Sequence, residues 1–200
     1  MRIITGKYKG RHFDIPRSFK ARPTTDFAKE NIFNVLNAYI DFDGATALDL
    51  FAGTGSISLE LLSRGCRQVV SVELDRDHYR FIQQCVGKLE GAKERSFVST
   101  LIRGDVFRFL KSCKQPFNFI FADPPYALKE LSSIPDLIFR EREETGEREG
   151  KDSSLLTPRS SLLTEDGIFV LEHGKDHDFT HHPHFIEHRH YGSVNFSLFR

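Results

Sequence analysis

ATALDLFAGTGSIS, Ala45 to Ser58, runs a buried-type strand (Ala45 to Phe51) straight into a turn holding Gly53 and Gly55 and then into a helix. The helix extends from Ser56 to Arg64 and stops at Gly65. Outward from there the alternation repeats. QVVSVE (Gln68 to Glu73) reads as a second strand, and Arg76 to Leu89 as a helix with Tyr79, Ile82, Val86 and Leu89 inward. STLIRGD (Ser99 to Asp105) is a third strand, Val106 to Ser112 a short helix, and FNFIFAD (Phe117 to Asp123) a fourth strand. Strands alternating with helices for about 80 residues imply a parallel sheet covered on both faces.

Further out, Leu128 to Phe139 reads as a helix and GIFVLEH (Gly167 to His173) as a fifth strand. The tail from Phe185 to Phe199 gives two runs split at Gly192, hence a terminal antiparallel hairpin. Upstream, Thr25 caps a helix with Phe27, Ile32, Phe33, Leu36 and Ile40 along one face. The head, RIITGKYKGRHFDIP, has short β-prone pieces broken at Gly6 and Gly10, which predicts a small hairpin over residues 1–25. The remainder, 26–200, forms the main domain. The stretch 140–154 is dense in charges of both signs and reads as a surface insertion within that domain.

The 200 residues carry 28 Lys plus Arg against 28 Asp plus Glu, so no global field draws in a polyanion. The charge is uneven, however. Between Met1 and Arg22 seven cationic residues face Asp14 alone, a local +6. No run approaches the roughly 18 apolar residues of a membrane span, and the basic head has no apolar segment after it, which predicts a cytoplasmic protein. Cys66, Cys85 and Cys113 are odd in number and wrongly spaced for disulfides or zinc, and read as reduced filler.

In an open parallel sheet, ligands bind beyond the carboxyl ends of the strands, so polar residues there matter most. Asp49 and the turn after it stand at the first such end, where two glycines would let backbone approach a ligand; a plain strand-to-helix turn would look the same. Glu73 ends the second strand, 24 residues later, as an acceptor for two ribose hydroxyls or as a helix N-terminal acid. Asp105 ends the third, placed to meet an exocyclic amine such as adenine's or to cap the helix at Val106. Three acids around one glycine turn suit an adenosine-bearing ligand.

The fourth strand delivers Asp123, Pro124, Pro125 and Tyr126. Neither proline has an N–H, and Pro124 pushes Asp123 toward extended geometry, so the segment offers acceptors with few competing donors. DLFAGTGS, then Glu73, Asp105 and DPPY together resemble the class I S-adenosylmethionine-dependent methyltransferases that act on amines. More narrowly, RIITGKYKGR, RPTTD (Arg22 to Asp26), IFNVL, LSRG (Leu62 to Gly65) and HYGSVNFSLF resemble the RsmD family, which methylates a guanine N2 amine in 16S ribosomal RNA. The resemblance covers nearly the whole chain, although DPPY alone is shared with enzymes acting on adenine, cytosine and glutamine.

The resemblance implies a Rossmann-like α/β fold with a mostly parallel seven-stranded sheet. It implies S-adenosyl-L-methionine as cofactor, held by Asp49, Phe51, Gly53 and Gly55 at its methionine portion, Glu73 at the ribose and Asp105 at the adenine, with Arg22, Pro23 and Thr24 closing over it. It implies a catalytic set of Asp123, Pro124 and Tyr126, in which the first two accept amine hydrogens and Tyr126 stacks on the extruded base. The implied partner is 16S rRNA in the assembled or assembling small ribosomal subunit, met by a monomer without a metal. Arg2, Lys7, Lys9 and Arg11 are candidates to grip phosphates, with Tyr8 between them to stack and Pro125 at the base; a merely solvated charged surface is the alternative.

Seven of the nine histidines fall between His173 and His190, without ligand geometry that supports a metal site. His173 matches the family's pattern and is expected to line the cleft. Three rivals remain. An adenine-N6 methyltransferase would need a separate target-recognition domain, a non-catalytic RNA-binding assembly factor would not need Asp123 and Tyr126, and an NAD enzyme would need a third glycine in the turn.

Overall fold

A computed structural model describes residues 1–19, 25–90, 98–140 and 161–200. The expected strands and helices form as β1 (Thr46–Leu50), α2 (Ser56–Ser63), β2 (Gln68–Glu73), α3 (Arg76–Glu90), β3 (Val98–Arg103), α4 (Val106–Ser112) and β4 (Phe117–Ala122), preceded by α1 (Asp26–Leu36). After them come α5 (Ile134–Phe139), β5 (Leu163–His173), β6 (Phe185–Tyr191) and β7 (Val194–Phe199). The seven strands lie in the order β3-β2-β1-β4-β5-β7-β6. All neighbours pair in parallel except β7, which runs antiparallel to both β5 and β6. Chain order reverses between β1 and β4, and a crevice opens beyond their carboxyl ends.

Side chains alternate across a strand, and both faces of the sheet bury them. Ala47, Val69, Phe119, Phe121, Ile168 and Val170 face the layer of α1, α2 and α3, whereas Leu48, Val70, Ile120, Ala122, Phe169 and Leu171 face α4 and α5. Three layers follow from apolar residues on both faces of β1, β2, β4 and β5.

Four expectations change in detail. The head makes a single antiparallel bridge, Arg2 to His12, rather than a full hairpin ladder. Its Ile3, Tyr8 and Phe13 join the apolar cluster under α1 and α2, so Tyr8 is buried and unavailable for stacking on a partner. Phe27 is 65% exposed, because it sits five residues, roughly 140° of helical turn, from Ile32; the buried stripe is Ala28, Lys29, Ile32, Phe33 and Leu36. The helix expected from Leu128 is a 3-10 turn at Leu131–Ser133 followed by α5, whose first turn accommodates Pro135. The insertion expected over 140–154 lies outside the described residues except for Arg140, and Arg22, Pro23 and Thr24 fall on 20–24, also outside them.

Candidate functional site

The crevice is a cavity of about 1050 Å³ lined by the ends of β1, β2, β4 and β5. Its floor is the turn after β1, where Phe51, Gly53 and Gly55 all take left-handed backbone, with φ of 60°, 54° and 74°. A non-glycine residue in that region is strained, and Phe51 is held there by the turn and by an edge contact with Phe107 across the cavity. The two glycines differ in purpose. A Cβ on Gly53 would meet nothing nearer than the Phe51 carbonyl at 3.8 Å, so its bare face is open to the cavity. A Cβ on Gly55 would lie 2.9 Å from Ile82 Cγ1, so Gly55 lets α2 and α3 close on each other and is not part of the cavity wall.

The acids at the strand ends converge. Asp49 is buried and accepts hydrogen bonds from the Ser58 N–H (2.9 Å) and the Ser58 hydroxyl, which itself lies 2.7 Å from the Ser71 hydroxyl. Burial pushes the Asp49 carboxyl up to about 7; the Ser58 bonds oppose this and the Glu73 charge adds to it. Glu73 accepts from the Gly53 N–H (2.6 Å) and the Asp75 N–H (2.7 Å), so it pins the glycine turn against the end of β2. Asp105 caps α4 through the Arg108 N–H (2.9 Å) and also lines the cavity.

From β4 come Asp123, Pro124, Pro125 and Tyr126, all on the cavity wall. Among the described residues nothing donates a hydrogen bond to the Asp123 carboxylate. Burial holds its carboxyl well above the usual range, and the charges of Glu172 and Asp49 raise it further. Tyr126 is 44% exposed and donates its hydroxyl to Glu172 Oε1 at 3.1 Å. Gly174 makes room for its ring, which would lie 3.3 Å from a Cβ there.

Glu172 is a wall residue that sequence reasoning missed, having picked its neighbour, as it missed Asp75, Arg76 and His78 beyond β2. His173 points to the opposite face, because adjacent strand residues must; it is buried, with Nε2 2.9 Å from the Ser197 hydroxyl and Nδ1 2.8 Å from the Gly174 carbonyl. The signal that could have found Glu172 is a carboxylate ending an apolar strand next to the strand that ends in Asp123. Thr25, which caps α1 through the Ala28 N–H, and Ser193 and Val194 at the β6–β7 turn complete the rim.

The basic head is only partly gathered here. Arg2 stands near the rim, 3.3 Å from Asp26. Lys7 is bonded through its N–H to the Ser63 carbonyl at the other end of α2, about 10 Å along the helix from Ser56. Lys7 and Arg11 lie over the buried Tyr8 ring, and Arg11 donates to the Lys88 carbonyl at 2.9 Å. Lys7, Lys9 and Arg11 are therefore exposed on the head's outer surface, away from the cavity. Among the described residues no group of three or more His, Cys, Asp or Glu could hold a metal, and no helix is long and apolar enough to cross a membrane.

A family model described as Conserved hypothetical protein 95 matches residues 1–143. The chain is 33% identical over 180 residues to the ribosomal RNA small subunit methyltransferase D of Haemophilus influenzae, covering 83% of this chain and 87% of that protein. It is also 33% identical over 179 residues to the YlbH protein of Bacillus subtilis, covering 88% of this chain and 84% of that one. A solved Thermus thermophilus protein of 26% identity superposes with a TM-score of 0.77, covering 100% of this chain and 99% of its own.

Proposed function

Because the chain belongs to the Conserved hypothetical protein 95 family, that of ribosomal RNA small subunit methyltransferase D, we propose that it methylates the N2 amine of a guanine in 16S rRNA. The substrate is the assembled or assembling small ribosomal subunit, and S-adenosyl-L-methionine is the donor. What carries this reading is the position of Asp123 and Tyr126 on the same cavity wall as the glycine turn.

The cavity suits that donor. Asp49, Glu73, Asp75, Asp105, Asp123 and Glu172 line it, against Arg76 and His78 among the described residues. An excess of carboxylates favours a ligand with cationic centres, which the donor has in its ammonium and sulfonium groups. Gly53 offers bare backbone to the methionine portion, Glu73 accepts from the ribose, and Asp105 accepts from the adenine amine. Asp49 and Glu73 also shape the turn that makes this contact, Asp49 through Ser58 and Glu73 through Gly53. The volume, near the top of the range for small-molecule sites, leaves room for a base beside the donor.

When bound, the donor supplies an electrophilic methyl group with a neutral thioether as leaving group. The chain's own task is positioning, since the lone pair of a nucleobase amine is delocalised into its ring. Asp123 and the Pro124 carbonyl each accept one amine hydrogen, which draws the nitrogen toward tetrahedral geometry and turns its lone pair to the methyl. As the N–C bond forms and the C–S bond breaks, the Asp123 carboxylate stabilises the charge growing on nitrogen; the proton then leaves to that carboxylate or to water. Tyr126 stacks on the extruded base, with its ring angle fixed by the bond to Glu172.

The test offers labelled donor with small ribosomal subunits, naked 16S RNA and DNA in parallel. Label on the ribosomal RNA, recovered as N2-methylguanosine, is the expected result. Label only on DNA, or recovery as an N6-methylated adenine, would replace this reading by the adenine one.

A further inference from the structure

The registers of β4 and β5 pair Ala122 with Leu171. One residue further along each strand stand Asp123 and Glu172, neighbours on the same side of the sheet, both on the cavity wall and close enough for each charge to act on the other. Glu172 is almost fully buried, and its Oε1 accepts the Tyr126 hydroxyl, so the carboxyl pair lies beside the foot of an exposed ring of the wall. An ionised carboxylate can only accept, and it has about four lone-pair directions, so the tyrosine hydroxyl can be one donor to it among several. A base stacked on Tyr126 thus turns its edge toward two adjacent acceptors.

That arrangement is selective. Guanine presents its amine next to a ring N1–H, two adjacent donors, whereas adenine and cytosine place a ring nitrogen lone pair beside their amines. A lone pair facing a buried carboxylate is repelled and leaves both unsatisfied. We propose that Glu172 selects guanine, its carboxylate accepting the ring N1–H while Asp123 holds the amine. This rests on the methyltransferase reading above and adds the residue that decides which base enters. The base's hydrogens also relieve the repulsion between the two acids, which would otherwise oppose their joint ionisation.

The probe is 2-aminopurine, which keeps the 2-amine but carries a lone pair at N1. Small subunits are reassembled on RNA with guanosine or 2-aminopurine riboside at the position located by labelled-methyl mapping. The wild-type protein is expected to favour guanine by roughly tenfold or more in kcat/KM. In Glu172→Gln the amide N–H can donate to N1, so the preference shrinks by roughly tenfold or inverts. In Tyr126→Phe, which removes only the hydroxyl bond, the preference persists. A wild-type protein that methylates 2-aminopurine as well as guanine overturns the proposal without any variant, as does an unchanged preference in Glu172→Gln. A wild-type protein that labels no ribosomal RNA defeats the methyltransferase reading first, and base selection with it.

Discussion

The Nζ of Lys29 on α1 and Oε2 of Glu60 on α2 lie 3.9 Å apart with neither side chain exposed. Lys29 also donates to the Arg2 carbonyl (2.7 Å) and the Ser56 hydroxyl (3.0 Å), while Glu60 accepts from the Ile4 and Thr5 N–H groups and from Arg64. The buried pair therefore fastens the head to the first and last turns of α2, the helix that begins at the cavity. Burial lowers the Lys29 pKa even though the Glu60 charge opposes this, so the lysine is held at some cost.

Glu60→Ala removes the acceptor of two backbone N–H groups and two cations at once, and should lower stability by about 3–5 kcal/mol in a denaturant titration. Lys29→Met keeps an apolar stem in place and leaves Glu60 with Arg64 and both N–H groups, so its loss should be under half as large. Equal losses would mean that the lysine charge, rather than the glutamate acceptor, holds the head.

Binding of the proposed donor should depend on pH through Asp49. Its folded pKa of about 7 stands above the ordinary aspartate value of 3.8, so the native state keeps a proton that the unfolded chain has released. The stability this group contributes is present at acid pH and is lost as pH rises from about 4 to 7. A cationic donor favours the ionised form, and its binding should expel a proton near pH 6.5 and tighten toward pH 8. Calorimetry in buffers of different ionisation heats reads that proton; Asp49→Asn should reduce the release. Binding without proton release would show that the donor's charge does not reach Asp49.

The sheet was legible because its signal is redundant: β1, β2, β4 and β5 are mostly apolar, and each ends at a polar residue or a glycine turn. Asp49, Glu73, Asp105 and Asp123 could be placed on one rim from strand ends alone. Glu172 escaped because, in Glu172–His173, residue type favoured the histidine while the pleat decided which of the two faces the cavity. Lys29 and Glu60 escaped for a different reason: residue type marks a charge as solvated even where, as at Lys29, it shares a helical face with Ile32, Phe33 and Leu36, and the hydrogen-bond partners that the head supplies are visible only in the fold. The close approach at Gly55 needed the position of Ile82, which no local pattern contains.

Asp123→Ala should abolish methyl transfer, by roughly 10²–10³-fold or more, while donor binding measured by calorimetry survives. Loss of both together would make Asp123 a donor ligand or a structural residue. Because burial, Glu172 and Asp49 all raise its pKa, the carboxylate is available only above the usual aspartate range, and transfer should fall as pH drops through that raised value. Asp123→Asn keeps one acceptor without a titration, so it should be slower but lack this acid limb. An acid limb that persists unchanged in Asp123→Asn assigns it to Asp49.

The outer surface of the head supplies the last prediction. Lys7 and Lys9 are exposed, and their backbone is fixed by the Ser63 carbonyl and by the turn that closes at Gly6, whose bare Cα lies against that same carbonyl. Held rigidly and away from the base site, they can meet phosphates of a large RNA without reading its sequence. Replacing Lys7, Lys9 and Arg11 by Ala should weaken RNA binding and flatten its logarithmic salt dependence by about 2, at roughly 0.7 for each phosphate of single-stranded RNA that goes unneutralised. Arg11 also donates to the Lys88 carbonyl, so the double variant of Lys7 and Lys9 separates phosphate binding from loosening of the head: it should account for about two thirds of the change in slope. An unchanged slope in the triple variant would take Lys7, Lys9 and Arg11 out of the RNA interface and leave them as a solvated face.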